Sequence, residues 1–418
     1  MNFSRKNILL WLVGISILLP VFFQLDGGIY RGLGVLIDSQ GNIAKLPLPL
    51  SILACLFAVG ILLGNPSRAL PGLAMIAGVL VISLVSVILG SDGVTPHQRK
   101  LLVTAQVLLP LGGVLLGALI HDGNKAIARS FLVVLSIVIP MQLAATWLQG
   151  GLILTHYLYA FSIYAHLQYV ALILVCAYIF CLVTLWDQHK IWLCIVGLSV
   201  SIYAVSSLSF LTIFAFFAFI FAFMLCKFWS YRSSPKLIAA ASILIVFALL
   251  GSYTYFKKME GQRSSVEGLQ PLYYGKFKEL LDGKVPANVY ERFGDWALFG
   301  KGIVESRQTF LVGHAQPMPR EIRSSPHNYY IDIAYTFGVL ALIPIFGLIG
   351  YTAFLCWRQR KSLPTETWWL LAIVFYLVVI DSSFKVTLRQ PYPGIFTFFL
   401  WGILLSRLRF SGLPMLKT

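Results

Sequence analysis

Apolar runs of about 20 residues recur along this chain, and they constrain its fold more than any other feature. A helix of about 20 apolar residues crosses the hydrocarbon layer of a bilayer, where every backbone polar group must be paired. Hydrophobic residues make up 58% of the 418 residues and charged residues 11%. Soluble domains carry about 25% charged residues. The sequence therefore predicts an all-α polytopic membrane protein.

Twelve membrane-spanning helices are expected. The apolar run over residues 191–226 is too long for one span, so we expect it to break at Ser206-Ser207-Leu208-Ser209 into two helices. The ten other predicted spans cover residues 8–23, 46–64, 71–89, 101–120, 131–149, 162–185, 237–256, 330–357, 367–380 and 394–406.

The basic residues predict which end of each helix faces the cytoplasm. With the N-terminus inside, the inner segments hold fifteen Lys and Arg: Arg5, Lys6, Arg68, Lys125, Arg129, Lys190, Lys227, Arg232, Lys236, Arg358, Arg360, Lys361, Arg407, Arg409 and Lys417. The short outer loops hold six: Arg31, Lys45, Arg99, Lys100, Lys385 and Arg389. Cytoplasmic loops carry such an excess, so both termini are expected in the cytoplasm. Topology rather than a nucleic-acid partner then explains the net charge of +16.

Residues 257–328 form the long polar segment of the chain. The segment holds eleven of the 32 Lys and Arg and eight of the 16 Asp and Glu. Long loops escape the positive-inside rule, so we place it outside the cytoplasm. Apolar residues at helical spacing over 271–282 and 288–299 predict short amphipathic helices on the membrane surface. The chain then divides into helices one to nine (1–256), the loop (257–328), and helices ten to twelve with a cytoplasmic tail (329–418).

Candidate chemistry lies at the end of this loop. His327 follows Pro326 and precedes the helix expected near Asn328, which puts its imidazole at the water boundary, able to accept a proton near neutral pH. Guanidinium groups match phosphate geometry. Five arginines are predicted on the same side: Arg292, Arg307, Arg320, Arg323 and Arg389. They also suit anionic lipid headgroups or ion pairs with Glu291, Glu305 and Glu321, so both interpretations stay open on charge alone.

The sequence signals of metal-bound nucleotide-sugar transfer and of ion-coupled transport are missing. The chain contains no Asp-x-Asp, Gly-rich phosphate loop or nucleophile elbow, so a metal-bound nucleotide-sugar donor is not supported and no cofactor is expected. Ion-coupled transporters keep ionisable residues near the middle of the membrane. Charged residues are nearly absent from the predicted helix interiors, which disfavours a transporter.

Residues 288–406 resemble the O-antigen ligase and polymerase superfamily of bacterial envelope glycosyltransferases. The matching pieces are Glu291-Arg292-Phe293-x-x-Trp296, Glu305-Ser306-Arg307, His327-Asn328 with Gly338 after nine intervening residues, and Arg389 with Pro391. Twelve helices with one large loop before the histidine also fit that family.

The resemblance implies a GT-C-type helical fold in the bacterial inner membrane. It implies transfer, without a metal, of a glycan from undecaprenyl diphosphate to a sugar hydroxyl on the periplasmic side. His327 would activate the acceptor hydroxyl with Asn328 in support. The arginines would hold the diphosphate, Arg307, Arg292 and Arg389 foremost.

Two departures favour a polymerase, which joins repeat units on the lipid carrier, over a ligase, whose acceptor is lipid A-core. The Ser206–Phe210 turn lacks the arginine of ligases, and Ala341 stands where the ligase pattern has Gly, Thr or Tyr. A polymerase would have a chain-length regulator as a further partner. The rival classes are a transporter or flippase of lipid-linked glycans and a non-catalytic partner in envelope assembly.

Overall fold

The computed structural model describes residues 5–19, 66–89, 97–120, 124–148, 167–207, 209–230, 279, 282–284, 287–314 and 325–410. Regular structure in these ranges is helical, with no strand. The α-helices longer than one turn are α1 (Arg5–Leu18), α2 (Pro66–Leu89), α3 (His97–Ala118), α4 (Asn124–Leu148), α5 (Leu167–Ser206), α6 (Phe210–Ser230), α7 (Ala287–Ile303), α8 (Arg307–Val312), α9 (Tyr329–Phe337), α10 (Ile343–Gln359), α11 (Thr365–Phe375) and α12 (Pro391–Phe410).

Five helices in the described ranges are long and apolar enough to cross a membrane: Ala69–Leu89, Asn124–Ala144, Tyr169–Ser206, Val339–Gln359 and Thr365–Phe384. This composition is that of an all-α membrane protein. The predicted spans over 46–64 and 237–256 lie outside the described residues, as does most of the expected surface helix over 271–282. The count of twelve spans and the GT-C fold stay predictions.

The described helices belong to two units, one built from residues 1–134, 161–165 and 292–418 and the other from 135–160 and 166–291. The division predicted from sequence, at residues 256 and 328, stays a prediction. In the first unit α3 and α12 run side by side through small residues. A Cβ atom at Gly113 would overlap the carbonyl oxygen of Ile395, and one at Gly117 would overlap that of Phe399. This spacing of two glycines four residues apart lets membrane helices approach closely.

Polar contacts in the first unit join the ends of neighbouring helices. Arg409, near the C-terminus of α12, donates to the carbonyl oxygen of Ser67 at the start of α2, 2.8 Å away. Arg407 lies 3.8 Å from Glu366 at the start of α11. At the other end of α2, Gln308 of α8 donates to the carbonyl oxygen of its last residue, Leu89, at 2.9 Å. The membrane face that each end meets stays a prediction.

In the second unit α5 is a hairpin rather than one straight rod. His189 has non-helical backbone angles (φ −137°, ψ 38°). The Tyr178 hydroxyl donates to the carbonyl oxygen of Leu193 at 3.0 Å, whereas a straight helix would separate residues fifteen positions apart by about 22 Å. The chain therefore reverses at His189, as the separate spans predicted over 162–185 and from 191 require. The predicted break is also confirmed, since α5 ends at Ser206 and α6 begins at Phe210.

One predicted span, 330–357, is wrong as a single helix. α9 ends at Phe337, a 3₁₀ segment follows over Val339–Leu342, and α10 begins at Ile343. The division falls at Gly338, whose φ of 80° is accessible to glycine and strained for other residues. A Cβ atom there would overlap the carbonyl oxygen of Leu311 in α8. Close contact with α8 therefore ends α9, and the candidate span begins only at Val339.

Candidate functional site

His327 occupies a tight turn that precedes α9. The Ser325 hydroxyl accepts from the His327 amide at 3.1 Å, and Asn328 caps the helix by accepting from the amides of Tyr330 and Ile331 at 2.9 and 3.1 Å. Asparagine is among the best N-cap residues, which explains why the helix starts here. The expectation that His327 lies just before a helix is confirmed.

The His327 backbone is strained. Its φ is 50°, and within the described ranges it is the non-glycine residue with a positive φ. Holding such a residue in the left-handed region costs about 1–3 kcal/mol, and residues of this kind cluster at functional sites. The side chain is half-buried. The fold therefore fixes the direction in which the imidazole leaves the chain.

Two side chains hold this turn from different elements. The Trp296 indole of α7 donates to the carbonyl oxygen of Pro326 at 2.9 Å, and its ring packs against Phe384 with centroids 6.1 Å apart. The Asn328 amide donates to the carbonyl oxygen of Ser383 at 2.9 Å. Both Phe384 and Ser383 belong to the helical turn Ser382–Phe384. The surroundings of His327 are thus assembled from α7, α9 and the segment that follows α11.

Arg389 reaches this assembly through an ion pair that the sequence did not reveal. It ends a 3₁₀ segment (Thr387–Arg389), and its Nη1 donates to the Asp332 carboxylate of α9. The side chains are 18% and 8% exposed. Burial raises the pKa of the Asp332 carboxyl, and the Arg389 guanidinium opposes that rise by favouring the charged form.

A second buried pair lies in the segment before Arg389. A π-helical stretch (Tyr376–Asp381) extends α11. The Asp381 carboxylate lies 3.1 Å from the Lys385 ammonium and accepts from the Thr387 hydroxyl. These acidic and basic side chains are 0% and 4% exposed, so each charge is compensated where it is buried. The pair fixes the turn that carries Ser383, whose carbonyl oxygen accepts the hydrogen bond from Asn328.

The remaining predicted arginines are placed differently. Arg292 lies on α7 one turn before Trp296, the residue that bonds to the His327 turn. Arg307 is exposed at the start of α8. That helix is followed by His314, whose amide donates to the carbonyl oxygen of Tyr335 at 3.0 Å. α8 therefore packs near the C-terminal end of α9, about 13 Å from its start. Arg320 and Arg323 lie outside the described residues.

The start of α9 thus brings together His327, Asn328 and Arg389. The turn that precedes it is bonded to α7, the helix that carries Arg292. The structure does not join Arg307 to these residues. Sequence inspection missed Asp332 and the Asp381–Lys385 pair. The signal for Asp332 was its place in the first turn of the helix after His327, where acidic residues are stabilised by the helix dipole. No group of three or more His, Cys, Asp or Glu within the described ranges is arranged to share a metal ion.

Comparison with known proteins adds no relative. No protein-family model, curated protein or solved structure matches this chain.

Proposed function

We propose that the protein is a membrane glycosyltransferase of the O-antigen ligase and polymerase type, acting at the periplasmic face of the bacterial inner membrane. It transfers a glycan from undecaprenyl diphosphate to a sugar hydroxyl without a metal. The observation that carries this proposal is the His327 turn. A histidine in a strained conformation is held by Trp296 and Asn328 beside a helix start that also binds Arg389.

The proposed reaction uses His327 as the general base. Its imidazole takes the proton of the acceptor hydroxyl while that oxygen attacks the anomeric carbon of the donor sugar. The bond between this carbon and the diphosphate oxygen breaks, and undecaprenyl diphosphate leaves with the electron pair. Attack opposite to the leaving group inverts the anomeric configuration. Arginine guanidinium groups stabilise the charge that develops on the diphosphate.

Among the members of this class, a polymerase is preferred to a ligase. The turn between α5 and α6 lies at Ser206–Ser209 as expected, and the residues 206–210 include no arginine. A glycan on the same lipid carrier is then the acceptor rather than lipid A-core. Identifying the acceptor in the product made in vitro distinguishes the two enzymes, because only a ligase joins the glycan to lipid A-core.

A transporter of lipid-linked glycans is the second candidate, and one observation favours it. Asp381 and Lys385 are ionisable residues buried at the end of an apolar helix, and buried charges in membrane proteins often mark transport pathways. However, each is paired with the other, and Thr387 completes the carboxylate's contacts. We therefore assign the pair to the support of the Ser382–Phe384 turn.

The test of the proposal is His327→Ala, assayed in purified protein with undecaprenyl-diphosphate glycan and acceptor. Product formation should fall about 10²–10⁴-fold, the usual contribution of a general base, while the donor still binds. His314→Gln is the matched control, because this second histidine stacks on Tyr335 at 4.1 Å and should not affect the reaction. Wild-type turnover in His327→Ala contradicts the proposed base. Loss of donor binding alone would make His327 a diphosphate ligand instead.

A further inference from the structure

Arg389 is held by one edge of its guanidinium. Nη1 donates to the Asp332 carboxylate, and no other side-chain hydrogen bond or ion pair of Arg389 occurs within the described residues. An arginine carries five N–H donors in a planar fork. Its side chain is 18% exposed, so it is not sealed from a ligand.

The Asp332 carboxylate is more buried than its partner. It is 8% exposed and lies in the first turn of α9, five residues after His327. Tyr329, on the same face of that turn, is fully buried, and its hydroxyl makes no hydrogen bond within the described residues. A buried hydroxyl without a partner is uncommon in native proteins and calls for an explanation, such as a further polar group that binds there. The pair therefore lies at the start of α9, where Arg389 and Tyr329 each keep donors that no described residue uses.

We propose that Asp332 is a positioning residue that orients Arg389 toward a diphosphate and tunes its affinity for that anion. This inference rests on the proposed function, which supplies the diphosphate. Asp332 holds one guanidinium edge so that the other edge faces the phosphate oxygens. It also offsets the charge of Arg389, so the site binds the anion by directed hydrogen bonds rather than by uncompensated charge.

Charge compensation matters because the ligand gains charge in the reaction. In the donor, the terminal phosphate is esterified to the sugar. Cleavage of the sugar–oxygen bond leaves that oxygen ionisable, with a second pKa near 6 for a phosphate monoester. An arginine without a counterion would hold this product more tightly than the donor. A carboxylate at Arg389 limits that difference and allows undecaprenyl diphosphate to leave.

Asp332→Asn separates the role of Asp332 in orienting Arg389 from its role in compensating the charge. The asparagine keeps an oxygen acceptor for Arg389 and removes only the negative charge. We expect inorganic pyrophosphate to bind the purified full chain about ten-fold more tightly, since one elementary charge near the ligand typically changes binding by at least that factor. Turnover should fall and the KM for the lipid-linked donor should fall with it, while the KM for the acceptor stays unchanged. A purely structural role for Asp332 predicts no tighter binding of pyrophosphate.

Arg389→Gln and Glu366→Gln are the controls. Arg389→Gln should lose the pyrophosphate binding that Asp332→Asn strengthens. Glu366→Gln removes a carboxylate that pairs with Arg407 at the start of α11 instead, so it should leave pyrophosphate affinity as in wild type. If Asp332→Asn does not fold, Asp332→Glu serves. It keeps the charge but moves the guanidinium by one methylene, so we expect a lower kcat with unchanged acceptor KM.

The outcomes are separable from those for the proposed function. Unchanged or weaker pyrophosphate binding in folded Asp332→Asn overturns the inference, even if glycan transfer is observed. With Asp332→Glu as the test, wild-type kcat overturns it. Tighter pyrophosphate binding in Asp332→Asn that disappears in Arg389→Gln supports the inference, even if no glycan is transferred. In that last case only the proposed reaction fails, and the diphosphate site remains.

Discussion

Replacing Asn328 tests whether its bond to Ser383 helps to hold the His327 turn. Asn328 is 8% exposed, caps α9 through its carbonyl oxygen and donates to Ser383 through its amide. Loss of an N-cap costs about 1 kcal/mol. A buried carbonyl left without its donor costs about 1–3 kcal/mol more. Asn328→Ala should therefore lower the free energy of unfolding by about 2–4 kcal/mol.

A shorter capping residue separates the contribution of the N-cap from that of the bond to Ser383. Asn328→Ser keeps a capping oxygen but is too short to donate to Ser383, so it should lower the free energy of unfolding by about 1–3 kcal/mol. Ser306→Ala is the matched control, because Ser306 caps α8 on the exposed surface and makes no long-range bond to another helix within the described ranges. It should cost about 1 kcal/mol.

Equilibrium unfolding in mixed detergent micelles, followed by tryptophan fluorescence, measures these differences. The expected order of stability is wild type, then Asn328→Ser, then Asn328→Ala. The reasoning is refuted if Asn328→Ala costs no more than Ser306→Ala, because the bond to Ser383 would then contribute nothing. Equal stability of the wild type and Asn328→Ser would refute it in the same way.

Three further predictions concern topology, phosphate recognition and helix packing. A cysteine at Ser264 should react with an impermeant thiol reagent added outside intact spheroplasts and one at Ser362 should not; the reverse pattern contradicts the predicted sidedness. Arg307→Lys should lose nearly as much transfer activity as Arg307→Ala, because lysine lacks the guanidinium fork, and full activity in Arg307→Lys would show that charge alone suffices. Gly117→Ala should lower the free energy of unfolding by about 1–3 kcal/mol through overpacking against α12. Gly294→Ala, where a Cβ meets nothing within 4 Å, should raise it by up to about 1 kcal/mol, and equal effects would contradict the close packing.

Local patterns predicted the features that depend on neighbouring residues. The excess length of one apolar run indicated the break that occurs between Ser206 and Phe210. The periodic apolar residues over 288–299 indicated α7, which begins one residue earlier, at Ala287. The proline and histidine before Asn328 indicated the start of α9.

Features that depend on distant partners were not predictable. The sequence is apolar on both sides of Gly338, so periodicity continues where the helix ends; the cause of the break is contact with α8. Asp332 and Arg389 are 57 positions apart, and nothing local pairs them. The ion pairs considered from sequence involved Glu291, Glu305 and Glu321, whereas in the fold the Asp332 carboxylate compensates Arg389. The left-handed backbone of His327 likewise lies in a turn whose neighbours bond to distant residues, Pro326 to Trp296 and Asn328 to Ser383.

The most direct test of the proposed function is turnover by the wild-type protein in proteoliposomes with a chelator present. We expect release of undecaprenyl diphosphate and an equal amount of glycan joined to a sugar hydroxyl, both unaffected by EDTA. His327→Ala measured beside it should form both products about 10²–10⁴-fold more slowly. Movement of intact lipid-linked glycan across the bilayer, without release of undecaprenyl diphosphate, would contradict the account and identify a transporter.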